Sequence, residues 1–147
     1  MCGFFGYISI KPLDTNLKIK ISKVDRFLNQ RGPDFSNFIL GKNFFFKHWR
    51  LKIQDLDDRS NQPFSNSKAN LLYNGEIYNF KNLKKNNKFN LKFNTTGDTE
   101  VLFKYLNKYG IEKTIKEIDG MFSFMYQEKK SNKIFLARDR FGQKPLY

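Results

Sequence analysis

Cys2 is the only cysteine among 147 residues, and loss of Met1 would make it the first residue of the chain. An amino-terminal cysteine carries a thiol and a free α-amine on one Cα. Their reference pKa values, about 8.5 and about 7.7–8.0, let the amine take the proton that sulfur must lose near neutrality. Nucleophile and base then come from a single residue, as in enzymes whose terminal threonine or cysteine attacks an acyl carbon. A lone cysteine is also a common small buried hydrophobe. The remaining sequence has to separate the two.

Three further positions offer what acyl chemistry on a zwitterion needs. Asn74-Gly75 pairs an amide side chain with an unhindered backbone N–H, the two donors an oxyanion requires, although Asn-Gly is also the strongest short hairpin-turn signal. Arg50 follows two aromatics at a strand end, where a guanidinium can grip a carboxylate in bidentate fashion or lie on the surface. Asp98 sits before an amphipathic stretch, where it can cap a helix or hold an ammonium. His48, the single histidine, has no Cys, Asp or Glu at ligand spacing, so a packed, hydrogen-bonded position is expected and a metal site is not.

These residues must be carried by elements of both periods. Residues 3–10 are rich in aromatic and β-branched side chains and predict a strand ending before Pro12, which would fix Cys2 in place. Leu17, Ile21, Val24 and Leu28 recur at helical spacing behind Asp14 or Thr15 as caps. Arg31-Gly32-Pro33-Asp34 ends that helix and by itself reads as a turn. Residues 35–40 and 44–49 predict a hairpin around Gly41-Lys42-Asn43, and residues 69–73 a short buried strand. Residues 80–93 give a short helix and a loop. A clear amphipathic helix follows Asp98, with Val101, Leu102, Tyr105, Leu106 and Tyr109 on one side and Gly110 at its end. Residues 111–118 are a second helical piece, 120–126 and 133–138 are strands, and 138–147 form a turn and the start of another strand. The pattern is one α+β domain with two sheets.

The net charge is +13, with seventeen Phe and seven Tyr. A nucleic-acid reading is weak, because 21 of the 27 basic residues are lysine and scattered, whereas phosphate and base-edge readers favour arginine. One cysteine makes no internal disulfide, and a reducing compartment preserves a reactive thiol. No export leader or membrane-length apolar run occurs. The expectation is a soluble, cytoplasmic protein with no membrane and no specific nucleic-acid partner.

Taken in order, Cys2-Gly3, Arg31-Gly32-Pro33-Asp34, His48 with Arg50-Leu51, Gln62-Pro63, Asn74-Gly75-Glu76-Ile77-Tyr78-Asn79, Gly97-Asp98 with Glu100, Asp119-Gly120-Met121-Phe122 and Arg138-Asp139 through Tyr147 resemble the glutamine amidotransferase domain of asparagine synthetases, a class II amidotransferase of the N-terminal-nucleophile hydrolase type. The resemblance implies a four-layer αββα sandwich spanning residues 1–147 and hydrolysis of the side-chain amide of L-glutamine to glutamate and ammonia. It implies Cys2 as nucleophile, forming a thioester, with Asn74 and Gly75 as the oxyanion hole. Arg50 would grip the glutamine carboxylate, Asp98 and Glu76 would hold its ammonium, and main-chain groups at Leu51 and Ile53 would line the pocket. Ammonia would serve ATP-dependent synthesis of asparagine from aspartate in a synthetase domain of the same or a partner chain. Relatives feeding other acceptors, and a truncated remnant without catalysis, are the alternatives.

The resemblance also implies further strands beyond Tyr147, so that this domain is incomplete at its C-terminal end. ATP and Mg belong to the synthetase domain, which these residues lack; no glycine-rich phosphate loop and no metal site is expected here. A homodimer is compatible with the family. Trp49 and Lys52 depart from the smaller or more polar residues usual beside the arginine.

Overall fold

The computed structural model describes residues 2–13, 17–86 and 90–147. Met1 and the proposed caps Asp14 and Thr15 lie outside them. The elements are β1 (Gly3–Ile8), α1 (Leu17–Leu28), β2 (Phe35–Leu40), β3 (Phe44–Arg50), β4 (Phe64–Ser65), β5 (Ala69–Ile77), α2 (Phe80–Lys85), α3 (Thr99–Tyr109), α4 (Ile111–Glu117), β6 (Gly120–Glu128) and β7 (Ile134–Arg138). Among the described residues strand pairing is antiparallel throughout. One sheet has the order β1-β3-β2, the other β4-β5-β6-β7.

Period-two alternation explains how the sheets meet. On β3, Phe44 and Phe46 join Leu72 of β5 and Met125 of β6 in a cluster between the sheets, with Phe4 and Ile134 at its margin. His48 and Arg50 share that parity and therefore point toward the second sheet. The opposite faces of β5 and β6, through Leu71, Tyr73, Ile77, Phe122, Phe124 and Tyr126, form a larger cluster with α2 and α3. Covered on both sides, β5 is buried over its first six residues. α1 lies against β1, where the Leu28 side chain packs at Gly3.

Two expectations change. The short strand expected over residues 69–73 is longer: β5 runs on to Ile77 through Asn74-Gly75, which pair with Ser123 and Phe122 of β6 and make no turn. The strand from Ala69 through Ile77 has a partner along its whole length, so strand pairing overrides the local turn preference. Residues 139–147 form no strand. Instead the buried Asp139 carboxylate accepts from the N–H groups of Phe122, Phe141, Gln143 and Lys144, folding this segment back on β6. Among the described residues no helix is long and apolar enough to cross a membrane.

Candidate active site

Cys2 begins where β1 enters the sheet, and two segments bracket it. The Leu51 N–H donates to its Sγ (3.4 Å), and the thiol reaches the Leu51 carbonyl at 3.6 Å. Arg31 Nε donates to the Cys2 carbonyl (3.4 Å), and Asp34 accepts from the Lys52 N–H (2.7 Å). Between them Gly32 lies against the Trp49–Arg50 backbone so closely that a Cβ would collide with the Trp49 carbonyl. The Arg-Gly-Pro-Asp segment, which by itself reads as a plain turn, thus ties Cys2 to the end of β3. Burial pushes the Cys2 thiol up from its ordinary pKa, against the opposing Leu51 N–H and the Arg50 charge. At neutral pH the sulfur is a thiol, and attack from it would take a base.

A cavity of about 100 Å³ opens beside it, and all eight sequence-predicted site residues line it: Cys2, Arg50, Leu51, Ile53, Asn74, Gly75, Glu76 and Asp98. Alternation along β5 explains part of this convergence. Asn74 shares the parity of Leu72 and faces the first sheet, while Tyr73 faces the helices. Tyr73 Oη donates to Asp98 Oδ2 (2.7 Å), and the Ile77 N–H donates to the same oxygen (2.9 Å). Asp98 therefore does not cap α3 with its side chain; its carboxylate is drawn to β5 instead. Burial raises the Asp98 carboxyl above the usual range, opposed by these two donors and reinforced by nearby Glu76. Burial and the Asp98 charge keep Tyr73 a phenol at any physiological pH.

Arg50 is neither a surface residue nor an empty fork. It is 4% exposed. One terminal nitrogen donates to the Asp57 carbonyl (2.9 Å) and Asn61 Oδ1 (2.7 Å), the other to the carbonyls of Gln54 (3.2 Å) and Asp55. The guanidinium organises the loop after β3 while its charge borders the cavity. Asp55 fastens the same loop to the segment before α3 by accepting from the Thr96 N–H (2.7 Å). Burial alone would raise its carboxyl, but the Thr96 N–H and Arg59 outweigh that and hold it well below the carboxylate range. Ahead of Asp98, the Glu100 carboxylate accepts from the N–H groups of Asn94 (2.9 Å) and Thr95 (2.7 Å) and from the Thr95 hydroxyl (2.8 Å).

Sequence reasoning assigned no site role to Gln54, Tyr73 or Lys144, which also line the cavity. Gln54 donates its amide to Glu76 (2.9 Å). The legible signal was parity: Tyr73 precedes Asn74 on a strand and must face the opposite layer. Gln54 and Lys144 come from irregular segments and carry no such signal. Among the described residues no cluster of three or more His, Cys, Asp or Glu is placed to hold a metal.

A glutamine amidotransferase domain model matches residues 1–147. The chain belongs to the glutamine amidotransferase domain family. Relatives of this amidotransferase domain include asparagine synthetase [glutamine-hydrolyzing] 2 of Bacillus subtilis, 38% identical over all of this chain and 20% of that protein. Asparagine synthetase B [glutamine-hydrolyzing] of Escherichia coli is 31% identical over all of the chain and 26% of its own length, and asparagine synthetase [glutamine-hydrolyzing] 2 of Oryza sativa subsp. japonica 34% over all of the chain and 25% of its own. The amidotransferase chain spans between a fifth and a third of the curated relatives it matches.

His48 sets a pH limit on this fold. It is fully buried, and burial lowers its pKa to about 4. The unfolded chain takes up that proton near pH 6.5. Its contribution to stability is therefore complete above about pH 6.5, falls as pH drops, and is lost at about pH 4, a span worth about 3 kcal/mol. Urea unfolding at pH 7 and pH 4 should show wild type losing about 3 kcal/mol more than His48→Gln, which has no group titrating there. Equal losses would mean that His48 takes up its proton as readily in the folded state as in the unfolded one.

Proposed function

We propose that this amidotransferase domain hydrolyses the side-chain amide of L-glutamine through a thioester on Cys2, delivering ammonia for ATP-dependent synthesis of asparagine from aspartate. The observation that carries the reading is the meeting, at one cavity, of a thiol, an amide-plus-N–H pair, a buried guanidinium and two carboxylates. Free glutamine is a zwitterion, and selecting it from other amides takes one cation and one anion at fixed separation.

Removal of Met1 frees the Cys2 α-amine, which takes the thiol proton. The sulfur attacks the amide carbon, and the resulting oxyanion is held by the Asn74 side chain and the Gly75 N–H. The C–N bond breaks, and the α-ammonium returns its proton to the leaving nitrogen, which departs as ammonia. Water, deprotonated by the same amine, attacks the thioester and releases glutamate and the thiol. Asp98 and Glu76 hold the substrate ammonium, and a cation beside Asp98 relieves the cost of its buried charge. The substrate carboxylate takes up the Arg50 charge; as an ionised acceptor it outbids the neutral Gln54 and Asp55 carbonyls for the guanidinium. Leu51 and Ile53 offer main-chain groups to the ligand.

The two sheets, with α1 on one side and α2 to α4 on the other, are read as a four-layer αββα sandwich of the N-terminal-nucleophile hydrolase type. Residues 1–147 are read as part of a type 2 amidotransferase domain that further strands complete, working in the cytoplasm with a synthetase domain of the same or a partner chain, as a monomer or homodimer. ATP and Mg serve that second domain, and glutamine hydrolysis itself requires no cofactor.

Intact-mass spectrometry with 6-diazo-5-oxo-L-norleucine, a diazoketone analogue of glutamine, tests the reading. The expected result is loss of Met1 and a single adduct on Cys2, suppressed by excess glutamine. A chain shown by circular dichroism to be folded yet unlabelled would overturn it.

A further inference from the structure

β4 is only two residues long and pairs with β5 at Leu71 and Asn70, so the edge of β5 is bare at Tyr73. Two side chains do there what a longer strand would have done. The Gln62 amide mimics a peptide, accepting from the Tyr73 N–H (2.8 Å) and donating to the Tyr73 carbonyl (3.1 Å). His48 Nε2 lies 3.0 Å from the same carbonyl. A carbonyl only accepts, so this nitrogen carries the proton. His48 is at 0% exposure on β3, and its Nδ1 finds no partner among the described residues. A neutral imidazole with one buried nitrogen unpaired is a poor choice for mere filling, since an apolar side chain would avoid that cost. What the imidazole adds is a donor that crosses from the first sheet to the peptide joining Tyr73 and Asn74.

We propose that His48 is a positioning residue, which with Gln62 fixes the Tyr73–Asn74 peptide between the sheets and so sets where the Asn74 amide stands in the Cys2 cavity. The inference rests on the proposed oxyanion role of Asn74. That peptide has Tyr73 on one side, whose hydroxyl holds Asp98, and Asn74 on the other. β3 also carries Arg50, two residues beyond His48 on the same face. The His48 contact therefore sets the distance between the sheet that holds Cys2 and Arg50 and the strand that holds Asn74, Gly75 and Glu76.

The test compares His48→Met, similar in volume but without the donor, with His48→Gln, whose amide nitrogen reaches about as far as Nε2. Steady-state glutaminase kinetics in the full chain are measured beside the inhibition constant of glutamate γ-semialdehyde. This aldehyde adds the Cys2 thiol across its carbonyl and leaves an oxygen where the oxyanion forms, so its affinity reads the oxyanion hole directly. His48→Met is expected to lower kcat by about 10–100-fold and weaken the aldehyde by a similar factor, with KM for glutamine within about twofold. His48→Gln is expected to restore both to within about threefold of wild type. Should His48→Met not fold, His48→Asn, whose amide nitrogen falls short of Tyr73, takes its place. Unchanged kcat, or equal losses in glutamine and aldehyde affinity that His48→Gln does not restore, would overturn the inference while leaving the proposed function standing. A wild-type chain that neither turns over glutamine nor binds the aldehyde would overturn both.

Discussion

Cys2→Ala is expected to lower ammonia release from glutamine by about 10⁵-fold while the protein keeps its fold and its affinity for glutamine. The size follows from what is lost. With the thiol gone, no thioester forms, and the Tyr73 hydroxyl at the same cavity is committed to Asp98 and held far from ionisation. Water attack on an oriented amide remains and supplies a small residual rate. Stability should change by no more than about 1 kcal/mol, because the sulfur is only partly buried and its contacts to Leu51 are long. Alanine is as small as cysteine, so processing of Met1 should persist and the α-amine stays in place. Ammonia release followed beside calorimetric glutamine binding checks this. Turnover within about 100-fold of wild type would rule Cys2 out as nucleophile; lost binding would mean that the thiol shapes the pocket instead.

Gly75→Ala should damage both chemistry and fold. Gly75 pairs with Phe122 across β5 and β6, and a Cβ there would collide with the Met121 carbonyl and stand 2.6 Å from the Phe122 Cα. These are backbone atoms of a strand held on both sides by β5 and β7, so no side-chain rotation relieves the clash. The strands must part at the point where the residue 75 N–H is presented. The expected costs are about 2–3 kcal/mol of stability and about 10²–10³-fold in kcat, the loss that follows removal of one oxyanion donor. Gly97→Ala is the control. It lines the same cavity, yet a Cβ there meets only Asp55 Cβ at 3.6 Å, an ordinary contact. Urea unfolding and glutaminase assays of both variants check the contrast. A Gly75→Ala protein with wild-type stability and turnover would mean that neither the strand contact nor the N–H matters.

Much of this was legible because local period and chemistry agree. The strands of the first sheet, the hairpin at Gly41-Lys42-Asn43 and the helix after Asp98 follow from alternation, turn residues and amphipathic spacing, and each occurs within a few residues of its expected bounds. Cys2, Arg50, Asn74, Gly75 and Asp98 were identifiable from their types and positions, Leu51, Ile53 and Glu76 only through the family resemblance, and all eight line one cavity because the start of β1, the end of β3 with its following loop, β5 and the start of α3 meet there.

What local sequence left open was settled by partners on other segments of the folded chain. Asn74-Gly75 carries a strong turn signal, and only pairing with β6 makes it mid-strand. Asp98 has the position and type of a helix cap, and only the Tyr73 hydroxyl and Ile77 N–H, on another element, draw its carboxylate away. Arg50 was readable as a clamp or a surface charge, whereas the folded chain surrounds it with oxygens of its own loop. The sequence by itself determined most element types, the strand expected at the end of residues 138–147 excepted, and which residues carry reactive groups, because these depend on neighbours within a turn or a strand. The tertiary structure alone decided which hydrogen bond each polar group makes. A buried donor or acceptor must be satisfied by whatever packing brings beside it, and that partner lies on another segment, more than twenty residues away for Asp98 and four to eleven for Arg50.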